Sequence, residues 1–373
     1  MTLPTSPVAT VGPVKIVGTG LLGTSLGLAL RGAGVAVQLT DASPSALALA
    51  RDLGAGTPAG EEDPEPALVV VATPPDVAAG TVLAQLAAHP AAVVTDVASV
   101  KLRVASAVEA DGGAAAARYV GSHPMAGRER SGPAAAHGDL FAGRPWVIVP
   151  GAHSGDDALV AVRNLAADVG AAPVTLGAEE HDDAVALVSH LPQVAASLVA
   201  ARLQDAPPDA LGLAGQGLRD VTRIAASDPQ LWATILAGNA APVARALREL
   251  RDDVDAVLEA LETAADAGPS APGSTGPLAR LVADGNAGVS RIPGKHGGPP
   301  RRYGAVTVLI PDEPGALGRL FGDVGEAGIN IEDLQLEHSA GQKVGLAVVS
   351  VVPSAVAPLE KELQERGWHL VVR

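Results

Sequence analysis

Val14-Lys-Ile-Val-Gly-Thr-Gly-Leu-Leu-Gly23 decides the fold of this chain. The first four residues read as a buried strand. They run into Gly18, Thr19, Gly20, Leu21, Leu22 and Gly23, which open a helical stretch ending at Arg31. In such a unit the first glycine makes the tight turn and the second lets the backbone approach a pyrophosphate. The third allows the helix to pack close to the strand, and free N–H groups at the helix start face the phosphates. Asp41 ends the next predicted strand, 18 residues beyond Gly23. A carboxylate there accepts from a ribose 2′-hydroxyl and repels a 2′-phosphate, and no Arg or Lys stands between Asp41 and Arg51. Bound NAD is the expectation.

Outward from this unit, short apolar runs at Val14–Gly18, Val35–Thr40, Ala67–Ala72, Ala92–Thr95, Trp146–Pro150 and Pro173–Leu176 alternate with helical stretches such as Ser45–Leu53 and Asp76–Ala87. That alternation predicts an α/β Rossmann-type doubly wound parallel sheet over residues 14–178, after a frayed tail at 1–13. Strand signals then stop. Residues 179–266 carry Ala/Leu-rich helical segments at Asp182–Leu203, which Pro192 should kink, at Gln230–Ala237 and at Pro242–Ala264. Their apolar faces exceed what one small bundle buries, so an all-α substrate and dimerisation domain is expected. Glycine and proline crowd residues 267–302, a linker composition. Residues 303–373 read strand, helix, strand, strand, helix, strand, the βαββαβ ferredoxin-like order.

The chain has 373 residues, 47 % of them hydrophobic and 18 % charged, which suits several globular domains rather than disorder. A formal charge of −15 argues against nucleic acid and anionic membranes as partners. With no cysteine there is no disulfide, thiolate metal site or thiol nucleophile. Without a leader pattern or an unbroken 18-residue apolar run, a cytoplasmic protein is expected.

Beyond the nucleotide unit, Gly121-Ser-His-Pro-Met-Ala-Gly127 sets His123 between a small polar residue and a proline. A histidine there is a candidate base, taking a proton from a hydroxyl while a neighbouring dinucleotide accepts hydride.

Several stretches in consistent order resemble the prephenate and arogenate dehydrogenases of tyrosine biosynthesis. They are Ile16–Gly23, Val71–Pro75 (with Thr73), Thr95–Lys101, Gly121–Gly127, Ser189–Pro192, Arg219–Pro229 with Trp232, and Arg291–Gly297. The resemblance implies NAD-dependent oxidative decarboxylation of a hydroxycyclohexadienyl substrate, prephenate or arogenate, by a homodimer without a metal. It implies that His123 is the base and that Ser99 bonds the same hydroxyl or the nicotinamide. Arg223 would clamp a substrate carboxylate, with His190, Asp220 and Trp232 around the cleft, and Thr73 would join the cofactor residues. Read locally, Ser99 is also a helix N-cap for Val100 onward. Asp312–Leu317 and Gly328–Asp333 resemble an ACT domain, which implies an amino-acid effector, L-tyrosine or another aromatic one, at Asp312, Gly315, Leu317 and Asn330. Ala98 and Gly215-Gln-Gly217 depart from the usual pattern near the expected substrate pocket.

Two rivals are weaker. A β-hydroxyacid dehydrogenase would draw a lysine from the helical domain, and no lysine lies between Lys101 and Lys295. A non-catalytic NAD- and amino-acid-sensing protein would have no need of His123, Ser99 and Arg223 in these contexts.

Overall fold

The computed structural model describes residues 8–127, 131–294, 303–338 and 344–371. Residues 1–7 of the expected tail, 295–302 of the expected linker (with Lys295–Gly297 of its motif), and Lys343 and Val372 at two expected strand ends lie outside that description. The chain divides into two compact units, residues 1–197 with 224–248 and residues 198–223 with 249–373. The helices expected as one domain over 179–266 are thus shared between the units.

The first unit is built on β1 (Val14–Val17), β2 (Val37–Thr40), β3 (Thr57–Pro58), β4 (Leu68–Val71) and β5 (Val93–Asp96). They are parallel, in the order β3-β2-β1-β4-β5. Successive side chains of β4 enter opposite layers. Leu68 and Val70 join a core with Leu26 and Leu30 of α1 (Leu21–Gly32), whereas Val69 and Val71 join Val82 and Leu86 of α3 (Pro75–Ala88). Helices therefore cover both faces, and that is why these strands read as unbroken apolar runs. Between α1 and α3, α2 (Pro44–Asp52) is capped by the Ser43 hydroxyl and begins with Pro44 at its first position.

Beyond β5 the sheet is mixed, which corrects the expectation of an all-parallel one. A parallel bridge from Val94 to Tyr119 leads into β6 (Val120–Pro124), which pairs antiparallel with β7 (Pro145–Pro150), and β7 pairs parallel with β8 (Ala172–Thr175). Among the described residues only a short 3-10 turn, Pro133–Ala135, lies between β6 and β7. Without a crossover helix the chain returns antiparallel. The tail reading is also too broad. The amides of Ala9 and Thr10 donate to Asp168 at the end of α5 (Asp156–Asp168), and the Ala67 amide donates to the Pro13 carbonyl.

Between β5 and β6 lies α4 (Leu102–Asp111). After β8, α6 (Ala178–Val185) continues through a π-helical turn at Ala186–His190 into α7 (Leu191–Ala201). The wide turn just ahead of Pro192 accommodates its ring and missing N–H, so the expected kink is absorbed inside one helical run. That run is long enough to cross a membrane and contains an 18-residue window of mean hydropathy 1.6, but it also carries His181, Asp182 and His190, all buried. Further along, Asp228 caps α10 (Pro229–Gly238) by accepting from the Gln230 and Leu231 amides, and Asn239 joins α10 to α11 (Ala240–Ala267). The short helices α8 (Pro208–Leu211) and α9 (Gln216–Thr222) belong to the second unit.

Residues 267–302 are not a plain linker, because Gly276–Val289 form α12. Pro277 sits in its first turn and Leu278, Leu281, Val282 and Val289 recur at helical spacing, which outweighs the glycine content. The C-terminal module follows with β9 (Gly304–Pro311), α13 (Ala316–Glu326), β10 (Asp333–His338), β11 (Val344–Val351) and α14 (Val356–Glu365). Its sheet is antiparallel in the order β10-β11-β9. The expected last strand is reduced to one bridge, Leu370 to Val308, beside β9. The described elements follow in the order β, α, β, β, α, with that single bridge in the place of the expected sixth element.

Candidate active site

The nucleotide turn has the shape its glycines require. Gly18 has φ +103°, and a Cβ on it would lie 2.5 Å from the Ala72 carbonyl oxygen. A Cβ on Gly23 would collide with the Gly18 carbonyl, whereas one on Gly20 would meet nothing within 4 Å. The start of α1 therefore faces open space with no side-chain cap on its amides. Asp41 accepts from the Thr19 amide at 2.6 Å, the Thr19 hydroxyl at 2.8 Å and the Ser43 amide at 2.7 Å. Two carboxylate oxygens offer about four acceptor positions, so one is left for a ribose hydroxyl. Oγ1 of Thr73, at the end of β4, is buried without a partner. An open cradle, uncapped amides and an orphaned hydroxyl fit a dinucleotide.

His123 lies on β6 and not in a turn. Pro124 closes that strand, so the histidine sits at the carboxyl end of the sheet, where open α/β folds bind their ligands. Its Nδ1 is 2.8 Å from Nε2 of His181, and Nδ1 of His181 is 2.7 Å from Oδ1 of Asp182. Asp182 also accepts from the amides of Lys101 at 2.8 Å and Leu102 at 3.0 Å. It thus caps α4 from a distant element, and the cap expected from Ser99 is absent: α4 begins at Leu102, and Ser99 stands ahead of it, half-buried. Beneath His123, the fully buried Lys101 ammonium pairs with Asp96 and donates to the Ser122 carbonyl at 2.7 Å. Asp96 further accepts from the Tyr119 hydroxyl at 2.7 Å and the Ala98 amide at 3.0 Å.

These neighbours set the charges. Burial holds the His123 imidazole well below the usual histidine range, and His181, Lys101 and His190 push the same way. Burial alone would raise Asp182, but bonds from His181 and the two α4 amides hold its carboxyl below the usual range. Burial lowers His190 as well, against the opposing pull of Asp182. Burial and Asp96 push the Tyr119 hydroxyl well above 10, so it remains a donor.

Of the expected cleft residues, His190 accepts at Nδ1 from Asn239 at 3.2 Å and stands T-shaped to Trp232 at 6.0 Å. Arg223 and Asp220 belong to the second unit, both exposed, with Asp220 accepting from Gln216 at 2.8 Å. In the C-terminal module Gly315 precedes α13 with φ +90°, Leu317 packs on the module's core, Asp312 is exposed and Asn330 donates to Glu332. Sequence reasoning missed His181, Asp182, Asn239 and the Asp96–Lys101 pair. Asp96 and Lys101 stand inside the Thr95–Lys101 motif, whereas His181 meets His123 across 58 residues, which no local spacing reveals.

A dinucleotide cradle beside a buried neutral histidine at the sheet's carboxyl edge defines the class, a nicotinamide-dependent oxidoreductase. Within that class the chain belongs to the prephenate dehydrogenase family. Residues 26–175 match the prephenate dehydrogenase nucleotide-binding domain and residues 177–268 its dimerization domain. Over 356 residues the chain is 40% identical to a probable prephenate dehydrogenase, NovF, of Streptomyces niveus, covering 95% of this chain and 98% of that one. It is similar, at 27% identity and a TM-score of 0.62, to the crystal structure of prephenate dehydrogenase from A. aeolicus in complex with hydroxyphenyl propionate and NAD+, covering 74% of this chain and 97% of that one. Synechocystis arogenate dehydrogenase resembles it at 25% identity and a TM-score of 0.59, covering 74% of this chain and 98% of that one.

Proposed function

We propose that the chain is an NAD-dependent prephenate dehydrogenase, converting prephenate to 4-hydroxyphenylpyruvate and CO2. The observation that carries this is the engagement of His123 Nδ1 by His181, which leaves Nε2 as the ring atom to meet a substrate hydroxyl. NAD, held by Gly18–Gly23, Asp41 and Thr73, supplies the hydride acceptor. As C4 of the substrate loses hydride, Nε2 of His123 takes the hydroxyl proton. The ring carboxylate departs as CO2, its electron pair completing the aromatic ring, and Nε2 of His123 returns the proton to the ring oxygen to give the phenol. Ser99 bonds the reacting hydroxyl or the nicotinamide, and His190 and Trp232 line the cleft. Arg223 is assigned a substrate carboxylate, supported by Asp220, from their Arg-Asp-Val-Thr-Arg context and the geometry of a guanidinium fork.

The arogenate reading is favoured by the Synechocystis likeness alone. Reduction of NAD followed at 340 nm, with prephenate and with arogenate, decides between them. Turnover of neither would refute the assignment.

The module over 303–373 is an ACT regulatory domain in this reading, supported by its βαββαβ topology and the left-handed Gly315 at the first strand–helix turn. L-tyrosine is the effector, held at Asp312, Gly315, Leu317 and Asn330. The enzyme works as a cytoplasmic homodimer. The dimerization-domain match and exposed Leu187, Val188, Leu198 and Val199 on the α6–α7 run support the homodimer.

A further inference from the structure

Of the three buried histidines of the first unit, Asp182 binds His181 directly, is linked through it to His123, and is linked through its backbone carbonyl and Asn239 to His190. A carboxylate only accepts, so His181 carries its proton on Nδ1, facing Oδ1 of Asp182. With Nδ1 as the protonated ring atom, Nε2 of His181 is the acceptor, and His123 donates to it from Nδ1. The second path starts at the Asp182 carbonyl, which also only accepts and takes a hydrogen from Nδ2 of Asn239 at 2.7 Å. That contact fixes which end of the buried Asn239 amide points inward. The same nitrogen meets Nδ1 of His190 at 3.2 Å, so this ring atom is an acceptor and the His190 proton sits on Nε2.

Burial disfavours the charged form of both rings, which preserves this single-proton pattern. Among the described residues the hydrogen bonds of these two rings engage Nδ1 only, which leaves each Nε2 for a ligand.

We propose that Asp182 is a positioning residue giving the two histidines opposite polarity, an acceptor at His123 Nε2 and a donor at His190 Nε2. The ligand then turns a hydroxyl toward His123 and an accepting oxygen, keto or carboxylate, toward His190; an ammonium group is disfavoured there. The proposal rests on the reading of His123 as the base. Asp182, held ionised by two helix amides, does not take the proton onward, so the charge generated by reaction stays on the linked His123–His181 rings.

Histidine-selective 15N NMR of the full chain near pH 7.5, with each signal assigned by a single substitution, tests this without turnover. The expected result is the Nδ1–H tautomer for His123 and the Nε2–H tautomer for His190. The opposite tautomer at either ring overturns the proposal, whether or not prephenate proves to be the substrate. Kinetics supply the second readout. His181→Leu should lower kcat roughly 10–100-fold with KM within about threefold, because the base loses its orientation. Asn239→Leu should instead raise KM roughly tenfold while kcat stays within about threefold, the loss of one charge-assisted hydrogen bond. An even decline of both parameters in both variants would mean packing roles only and would overturn the proposal.

Discussion

Asp96→Asn should convert the most deeply buried ion pair of the site into a measurable loss of stability. Lys101 and Asp96 are each 0 % exposed, and besides Asp96 the ammonium has the Ser122 carbonyl as its partner. Breaking a buried pair by removing one charge costs about 3–5 kcal/mol. The loss has a ceiling, since the stranded lysine can shed its proton. Moving from an unfolded-state value near 10.5 to neutrality at pH 7.5 costs about 4 kcal/mol, at about 1.4 kcal/mol per pH unit. In the variant the folded chain then holds one proton fewer than the unfolded chain, so its stability rises with pH by that slope. In the native protein burial lowers Lys101, and the charge and hydrogen bond of Asp96 oppose that lowering. The deficit of Asp96→Asn should therefore shrink by about 2–3 kcal/mol between pH 7.5 and 9.5. Urea unfolding of both proteins at the two pH values measures it. Lys101→Met should cost less, because Asp96 retains the Tyr119 hydroxyl and the Ala98 amide. A deficit under about 1 kcal/mol, or one that does not change with pH, would refute the description of Lys101 as a buried, charged partner of Asp96.

Other outcomes follow from the same geometry. His123→Ala should lower kcat by about 10²–10⁴ with little change in NAD affinity; near-native turnover would remove it as the base. Because His123 is depressed, the acid limb of kcat/KM should fall well below pH 6.5, and the folding stability that this group contributes, complete above pH 6.5, should be lost as pH falls below it. Asp41→Ser should weaken preference for NAD over NADP, checked by the ratio of kcat/KM for the two cofactors. Arg223→Ala should raise KM at least about 30-fold, and a fall in kcat at constant KM would point to a chemical role instead. Deleting residues 300–373 should leave an active enzyme that loses part of its inhibition by tyrosine; identical inhibition would refute the effector site.

The nucleotide unit is legible in the chain because its determinants are local. Gly18, Gly20 and Gly23 serve a single turn, and a strand such as Leu68–Val71, buried on both faces, shows itself as an unbroken apolar run. The βαββαβ order of residues 303–371 is readable for the same reason, from alternating strand and helix periods. His123 stands out in its heptad, but its strand does not. All five residues of β6 are buried, yet glycine, serine, histidine and proline carry no strand periodicity. The helix at 276–289 is hidden by its glycines, whose composition resembles a linker while the apolar spacing does not.

Tertiary structure alone decided the environment of His123. Asp182 caps a helix that begins 80 residues earlier and orients His181, and Asn239 joins the Asp182 carbonyl to His190 across 49 residues. A hydrogen bond requires two atoms within about 3 Å, and sequence specifies such proximity only through the packing of all the intervening elements. Sequence by itself determined which groups the protein possesses, a dinucleotide turn and a histidine without a rival lysine. The fold determined which nitrogen of that histidine is already engaged by a neighbour.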